Sequence, residues 1–530
     1  MEAGNVPDGS VHRRRSARSR GTREERRTRG QRFGSRDSRR RAWRPRPRGL
    51  AHRTGVQSRA CDNDRPHRRR ERRFGNRSLQ DPRANPAVVA DGRAFQERRL
   101  HRRHADRSAR LGRSGGSGRS GGSSGLVRVV VIGGGPAGTF AAIAARKQDA
   151  DAAVTLLTRE RCEPYEKPPL SKAVLLGRVS PEDAPIAGPG GVAGHGVVLE
   201  TSADCTGIDR TGHVVVLADG RSLPYEALVI ATGSTPREIP QLPVGAPRTY
   251  YLRTEADARV LKAALAGCRD LLVVGGGLIG LEVASSGAML GVKVTVLEVA
   301  PRILARVCDE QIGGAVHEAH ARHGVDIRVG TTLLTATAQR DGRIAAVTGA
   351  GERFVADIVV VGTGSKPDDA LAASAGLATD DGIVVDAQCR TSDRAILAAG
   401  DCVRFPGPQG LVRLENWLHA QDQGAIAGRN AAGANERYTT VPSFWSEQYD
   451  LYIQGVGWPA PGSARVHRPL GGGRVLIFDV IDGRLAYAMG INAQRDLAMA
   501  RRLIERRVAV DATALADPGQ PLAAMLKPQL

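Results

Sequence analysis

Two short glycine-rich segments carry the chemistry most readable in this chain. Gly133-Gly134-Gly135-Pro136-Ala137-Gly138 and Gly275-Gly276-Gly277-Leu278-Ile279-Gly280 share the spacing G-x-G-x-x-G. In that spacing the first glycine permits a tight turn, the second lets the backbone approach a pyrophosphate, and the third lets a helix pack closely on a strand. The phosphates then rest on unpaired N–H groups at the positive end of the helix. A lone match is weak, but both segments sit in the required context of strand, turn, helix and strand. The apolar run 126–132 feeds the first turn, an alanine-rich helix spans Thr139 to Lys147, and Ala153–Leu157 is the next strand. Asp270–Val274, Leu281–Leu290 and Val292–Leu297 repeat the plan about 140 residues later. Glu298 closes the second repeat, where a carboxylate bonds the ribose hydroxyls of an adenosine and repels a 2′-phosphate. That favours NADH over NADPH, with Arg302, four residues on, as the residue that would tolerate a phosphate. Two cradles imply two dinucleotides; one can be a tightly held FAD and the other a visiting nicotinamide, with hydride passing between their rings.

The elements that position these turns occupy only part of the 530 residues. Residues 1–126 hold 36 Arg, no Lys and 12 acidic residues, a net of +24, while residues 127–530 hold 41 basic and 43 acidic residues, a net of −2. The near-neutral body argues against a nucleic-acid-binding globule with a basic working face. The leader has runs such as Arg13-Arg14-Arg15 and only four aromatics, Phe33, Trp43, Phe74 and Phe95. Such a stretch buries too little apolar surface to offset ordering entropy, so disorder is expected. Its end, Ser114 to Gly125, reads as a flexible Gly/Ser linker. Three readings compete for it: an arginine-rich arm for nucleic acid or an anionic membrane surface, a natural tail without a sharp role, and upstream sequence read from too early a start codon, with Val127 or Val129 as the alternative start. Its twelve acids and its length disfavour a transit peptide.

No run of 18 uncharged apolar residues occurs, so no membrane span is expected. The seven cysteines, at 61, 162, 205, 268, 308, 389 and 402, are odd in number and widely spaced. That is neither a disulfide framework nor a zinc site, and it fits a reducing cytoplasm.

Further motifs follow in order. Pro164-Tyr-Glu-Lys-Pro-Pro-Leu-Ser-Lys172, Ala231-Thr232-Gly233-Ser234, Tyr251-Leu-Arg253-Thr254, Val361-Gly-Thr-Gly364, Ile396-Leu-Ala-Ala-Gly-Asp401-Cys402, Glu415-Asn-Trp417 and Phe444-Trp445-Ser-Glu-Gln448 stand between the first cradle and the C-terminus. With the two cradles they make the chain, from about Val127 onward, resemble the FAD-dependent pyridine nucleotide-disulfide oxidoreductases, specifically the ferredoxin reductases that serve bacterial P450 and Rieske oxygenases. The resemblance implies an α/β fold of two Rossmann-like dinucleotide-binding domains, glutathione-reductase-like, plus a C-terminal α+β domain. It implies FAD contacts from Gly133, Gly135, Pro136, Ala137, Gly138, Lys172, Cys205, Ala231, Thr232, Gly233, Arg253, Asp401, Trp417 and Trp445. On the NADH side it implies Gly275, Gly277, Leu278, Ile279, Gly280, Glu282, Glu298, Arg302 and Gly364. One departure stands out: Arg159 occupies the usual place of an acid for the FAD ribose, and Glu160 substitutes by a one-residue shift or remains a solvated surface residue. Glu166 and Trp445 are positioning candidates beside the flavin, since hydride transfer needs stacking more than a proton relay.

The expected order is a leader at 1–126, a first FAD segment at 127–243, an NADH domain at 244–356, a second FAD segment at 357–436 and a C-terminal reductase domain at 437–530. No close cysteine pair exists to relay electrons, so they must leave from the flavin itself, which can take two as a hydride and release them singly; that suits an iron–sulfur ferredoxin. Arg495, Arg501, Arg502, Arg506 and Arg507 are candidates for steering such an acidic partner or are simply a solvated helical face. Two alternatives stay open: a single-cysteine disulfide or peroxide reductase working through Cys162, and a flavin- and NADH-binding interaction protein of the apoptosis-inducing-factor type.

Overall fold

Near-continuous apolar strands form the centre of the molecule, as parallel strands covered on both faces require. The structure, a computed structural model, describes residues 127–526. The leader and every reading that falls on it lie outside the described residues. The first sheet runs Ile396–Ala398, Ala227–Ile230, Arg128–Ile132, Ala153–Leu157, Val198–Glu200, all parallel. The second runs Asp326–Arg328, Lys293–Leu297, Asp270–Val274, Ile358–Val361, Thr249–Tyr250, again all parallel. Their registers correspond: Ile132 lies opposite Leu157, and Val274 lies opposite Leu297. The chain passes between the two units through Ser234–Pro236 and Ser365–Pro367, which pair antiparallel.

That crossing corrects one expected boundary. Ile358–Val361 is a strand of the second sheet, so the return to the first unit falls at Ser365–Pro367 and not at 357. The strand lies beside Asp270–Val274 in the second sheet as Ala227–Ile230 lies beside Arg128–Ile132 in the first. The C-terminal unit is an antiparallel sheet ordered Ser443–Gln448, Leu451–Gly457, Arg484–Ile491, Val475–Ile481, Ala464–Pro469, backed by the helix Gln494–Arg506. It begins at Ser443; Tyr438, inside the expected 437–530 span, packs instead with the first unit's cores.

The helices Pro136–Gln148 and Trp417–Ala431 cross at backbone contact. A Cβ placed on Gly424 would lie 2.1 Å from the Ala137 carbonyl oxygen, and one on Gly428 would lie 2.0 Å from that of Ala141. Only glycine at both positions allows this approach, which fixes Trp417 and its neighbours against the first cradle. No helix of the described residues is long and apolar enough to cross a membrane.

Candidate dinucleotide cleft

Both glycine turns open into one cleft of about 2250 Å³, well beyond the roughly 300–1,000 Å³ of a pocket for one drug-sized ligand. The turns are built alike. Gly133 has φ +117°, and a Cβ there would strike the Ala231 carbonyl oxygen at 2.1 Å; Gly275 has φ +112° and would strike that of Gly362 at 2.4 Å. The third glycines, Gly138 and Gly280, would place a Cβ 1.8 Å and 2.1 Å from the carbonyl oxygens of Gly133 and Gly275. The second glycines differ from both. No atom lies within 4 Å of a Cβ built on Gly135 or Gly277. Each is a helix N-cap without a side-chain cap. An open backbone position at an uncapped helix start is what a pyrophosphate needs, so the residues fit two dinucleotides.

At the end of the second strand the cradles diverge. The Glu298 carboxylate accepts from the backbone N–H groups of Gly276 at 2.6 Å and Ala300 at 2.7 Å, which aims it across the turn. By register its counterpart in the first cradle is Thr158, not Arg159. Glu160 lies on the cleft wall, but Tyr165 donates to it at 2.6 Å and Lys167 at 2.9 Å. Burial pushes the Glu160 carboxyl up; the Lys167 charge and the two hydrogen bonds outweigh this and hold it below the usual range. Glu160 is therefore part of an internal ion pair and not a solvated surface residue. Arg159 reaches Asp368 at 2.8 Å, a contact between segments 209 residues apart that no local pattern signals.

Nearly all the residues singled out in the sequence line this one cleft. Gly138 and Gly280 sit behind it as packing positions, as their role requires. Two candidates are displaced from the wall. Arg302 donates to the backbone carbonyls of Ala305 at 3.2 Å and Cys308 at 2.8 Å, so its guanidinium ties down its own loop and is not turned toward a 2′-phosphate; Arg306, missed in the sequence, lines the cleft instead. Glu166 is likewise off the wall, because its segment is drawn toward Ala184 by a backbone bond at 3.0 Å and presents Lys167 to the cleft.

Deeper in the cleft lies a buried polar centre. Glu282, 3% exposed, accepts from Ser171, from Lys172 at 3.1 Å and from Ser446 at 2.6 Å. Asp401 accepts from Ser234 at 3.0 Å and sits 3.4 Å from the Arg253 guanidinium; burial pushes its carboxyl up. Trp445 meets Trp417 edge-on at 6.1 Å, and Trp417 meets Phe140 edge-on at 6.0 Å. The Trp417 indole N–H is buried without a protein partner. All six cysteines of the described residues are free thiols. Cys162 lines the cleft, yet burial first and the Glu160 charge second push its thiol up, away from the thiolate a nucleophile needs. No cluster suited to a metal ion occurs among the described residues.

The sequence comparisons bear on this cleft directly. The family description "Pyridine nucleotide-disulphide oxidoreductase" matches residues 127–424, and "Reductase C-terminal" matches residues 443–526. The chain belongs to the pyridine nucleotide-disulphide oxidoreductase family. Its relatives place it in the ferredoxin-reductase type. It is 39% identical over 393 residues to the anthranilate 1,2-dioxygenase system ferredoxin–NAD(+) reductase component of Burkholderia cepacia, covering 73% of this chain and 97% of the relative. It is 37% identical to the rhodocoxin reductase of Rhodococcus erythropolis, covering 73% and 92%. Among solved structures, the reductase in the covalent putidaredoxin reductase–putidaredoxin complex superposes with a TM-score of 0.71 at 32% identity, covering 76% of this chain and 98% of that one. The family uses FAD and NAD(P)H, in agreement with the paired cradles.

Two buried histidines give this oxidoreductase a predictable acid limb. Burial lowers His320 to about 4 and His419 to about 3 from an ordinary 6.5. The unfolded chain takes up these protons at higher pH than the folded one, so stability is full above pH 6.5 and falls as pH drops toward 4. The slope is about 1.4 kcal/mol per pH unit for each histidine. Urea midpoints measured between pH 7.5 and 4.5 check this; a flat profile contradicts it.

Proposed function

We propose that this chain is an NADH:ferredoxin oxidoreductase, taking hydride from NADH and passing single electrons to an iron–sulfur ferredoxin that feeds a P450 or Rieske oxygenase. The observation that carries the reading is one cleft holding both cradles, whose two lining cysteines, Cys162 and Cys205, are far apart in sequence and are both free thiols, with no disulfide among the described residues. When bound, FAD supplies the conversion of a two-electron hydride into single electrons.

In this reading the chain's own residues hold and orient. Gly133, Gly135 and the start of Pro136–Gln148 take the FAD pyrophosphate. Asp401 and Arg253 take the polyol chain between them. Lys172 and Glu282 form a fixed ion pair at the reacting end, and Trp445 with Trp417 forms an aromatic wall. Gly275, Gly277, Ile279 and Arg306 receive the nicotinamide dinucleotide, with Glu298 on its adenosine ribose. The partner docks near Trp445, where Arg501 already touches the cleft-lining Ser443 at 3.2 Å. Arg495, Arg502 and Arg506 are exposed on the same helix as Arg501, and Arg507 is exposed at its C-cap, available for steering. The six free thiols suit a cytoplasmic setting.

Preference for NADH rests on the charge of Glu298 and on the commitment of Arg302 to backbone carbonyls. Glu298→Gln keeps the size and removes the charge, so the NADPH:NADH ratio of kcat/KM is expected to rise at least about tenfold. An unchanged ratio refutes the role given to Glu298.

The deciding experiment mixes the FAD-loaded protein with NADH without oxygen, then adds a [2Fe–2S] ferredoxin and cytochrome c. Bleaching of the yellow colour followed by ferredoxin-dependent cytochrome c reduction is expected. A long-lived charge-transfer band without cytochrome c reduction would favour an interaction protein instead. Loss of turnover in Cys162→Ser would favour the thiol reductase.

A further inference from the structure

The strand Ser443–Gln448 alternates its side chains as strands do. Trp445 faces the cleft, while Ser446 and Gln448 are buried at 0% and 1% exposure and begin a chain of hydrogen bonds leading away from it. Ser446 Oγ lies 2.6 Å from Glu282 Oε1, Gln448 Nε2 lies 3.2 Å from Ser446 Oγ, His320 Nε2 lies 2.8 Å from Gln448 Oε1, and Tyr449 Oη lies 3.2 Å from His320 Nδ1. The chain joins three elements: the helix Leu278–Met289 after the second cradle, the C-terminal sheet, and the helix Glu310–Arg322.

Its polarity follows from elementary donor counting. A carboxylate accepts only, so the Ser446 hydroxyl donates to Glu282. That hydroxyl has one proton, so Ser446 must accept from Gln448, which fixes the Gln448 amide with its NH2 toward Ser446 and its carbonyl toward His320. The carbonyl needs a donor, so the proton of His320 is on Nε2. Nδ1 of the neutral ring then accepts from Tyr449. Every donor in the chain points toward Glu282.

The far end is built with equal care. Tyr449 is in the hairpin turn between Ser443–Gln448 and Leu451–Gly457 with φ +56°, a left-handed conformation that costs a bulky residue about 1 kcal/mol or more. Its ring is held there by stacking on His323 at 3.7 Å and 9° and by an edge contact with His320 at 5.0 Å. His323 is anchored through Nδ1 to the Ala319 carbonyl at 2.8 Å. A turn that needed only to reverse the chain would use Asn or Gly.

The geometry points to His320 as a positioning residue of the reaction: through Gln448 and Ser446 it locks the Glu282 carboxylate in the orientation that meets Lys172, with Tyr449 as the outer anchor. The inference rests on the function proposed above only for its kinetic arm. Ser171 donates to Glu282 Oε2, while Lys172 and Ser446 both donate to Oε1, so the chain holds the same oxygen that meets Lys172. Cooperative polarisation along aligned hydrogen bonds strengthens each link.

The test begins with the unaltered full-length protein. Nitrogen-15 NMR at pH 7 should show His320 neutral with the proton on Nε2; a proton on Nδ1, or a charged ring, overturns the inference whatever the enzyme does. The second arm follows NADH bleaching in His320→Leu, Ser446→Ala and the double variant, all FAD-loaded. Each single change should slow bleaching about tenfold, and the double variant should be no slower, because both break one chain. His320→Gln, which keeps an amide donor, should recover most of the rate. A product of the two losses, about a hundredfold, or a fall in thermal stability with bleaching unchanged, overturns it. Unaltered protein that NADH cannot bleach would refute the proposed function and leave the tautomer result standing.

Discussion

Gly135→Val is expected to yield a folded but colourless protein, with FAD affinity down at least about a thousandfold, or roughly 4 kcal/mol. The reason is the empty space around this position. No protein atom lies within 4 Å of a Cβ there, so the valine strains nothing in the chain. Its backbone is extended, φ −81° and ψ −176°, which valine adopts freely. The side chain fills the approach to the uncapped helix start that a pyrophosphate needs. The sister change Gly277→Val should have the opposite colour: a yellow protein that NADH fails to bleach. Gly133→Ala is the control for misfolding, because at φ +117° its Cβ meets the Ala231 carbonyl oxygen at 2.1 Å. Circular dichroism, flavin absorbance and titration with FAD separate the three. A Gly135→Val protein that binds FAD normally would remove the first cradle from the site.

Gly428→Val should lower the stability of the whole protein by about 3 kcal/mol. The helices Pro136–Gln148 and Trp417–Ala431 touch backbone to backbone there, and a Cβ would lie 2.0 Å from the Ala141 carbonyl oxygen. Relief requires moving one helix, and both begin at the cleft. Weaker FAD binding should therefore accompany the loss of stability. Gly314→Ala is the useful contrast. Gly314 is exposed on the helix Glu310–Arg322 with nothing within 4 Å of an added Cβ. It should gain about 0.5–1 kcal/mol from helix propensity alone. Denaturant midpoints for the two variants should move in opposite directions; a stabilised Gly428→Val would refute the packing argument.

The sequence by itself determined the two cradles, because their function depends on local geometry. A glycine required at φ near +115°, a helix that must start uncapped, and a buried parallel strand each leave a mark within a dozen residues. It also determined the uneven charge of the chain and the lack of a close cysteine pair. Tertiary structure decided what those parts do together. Arg302, next to the second cradle in sequence, spends its guanidinium on its own loop, and Arg306 takes the wall. Glu160 gains Tyr165 and Lys167 as partners, and Arg159 gains Asp368 from a distant segment. Ser446, Gln448, His320 and Tyr449 come from two segments more than a hundred residues apart and form one line to Glu282. The physical reason is the range of the forces. Backbone conformation and helix capping are settled between near neighbours, whereas a buried charge must be satisfied by whatever donors the packed fold brings to it.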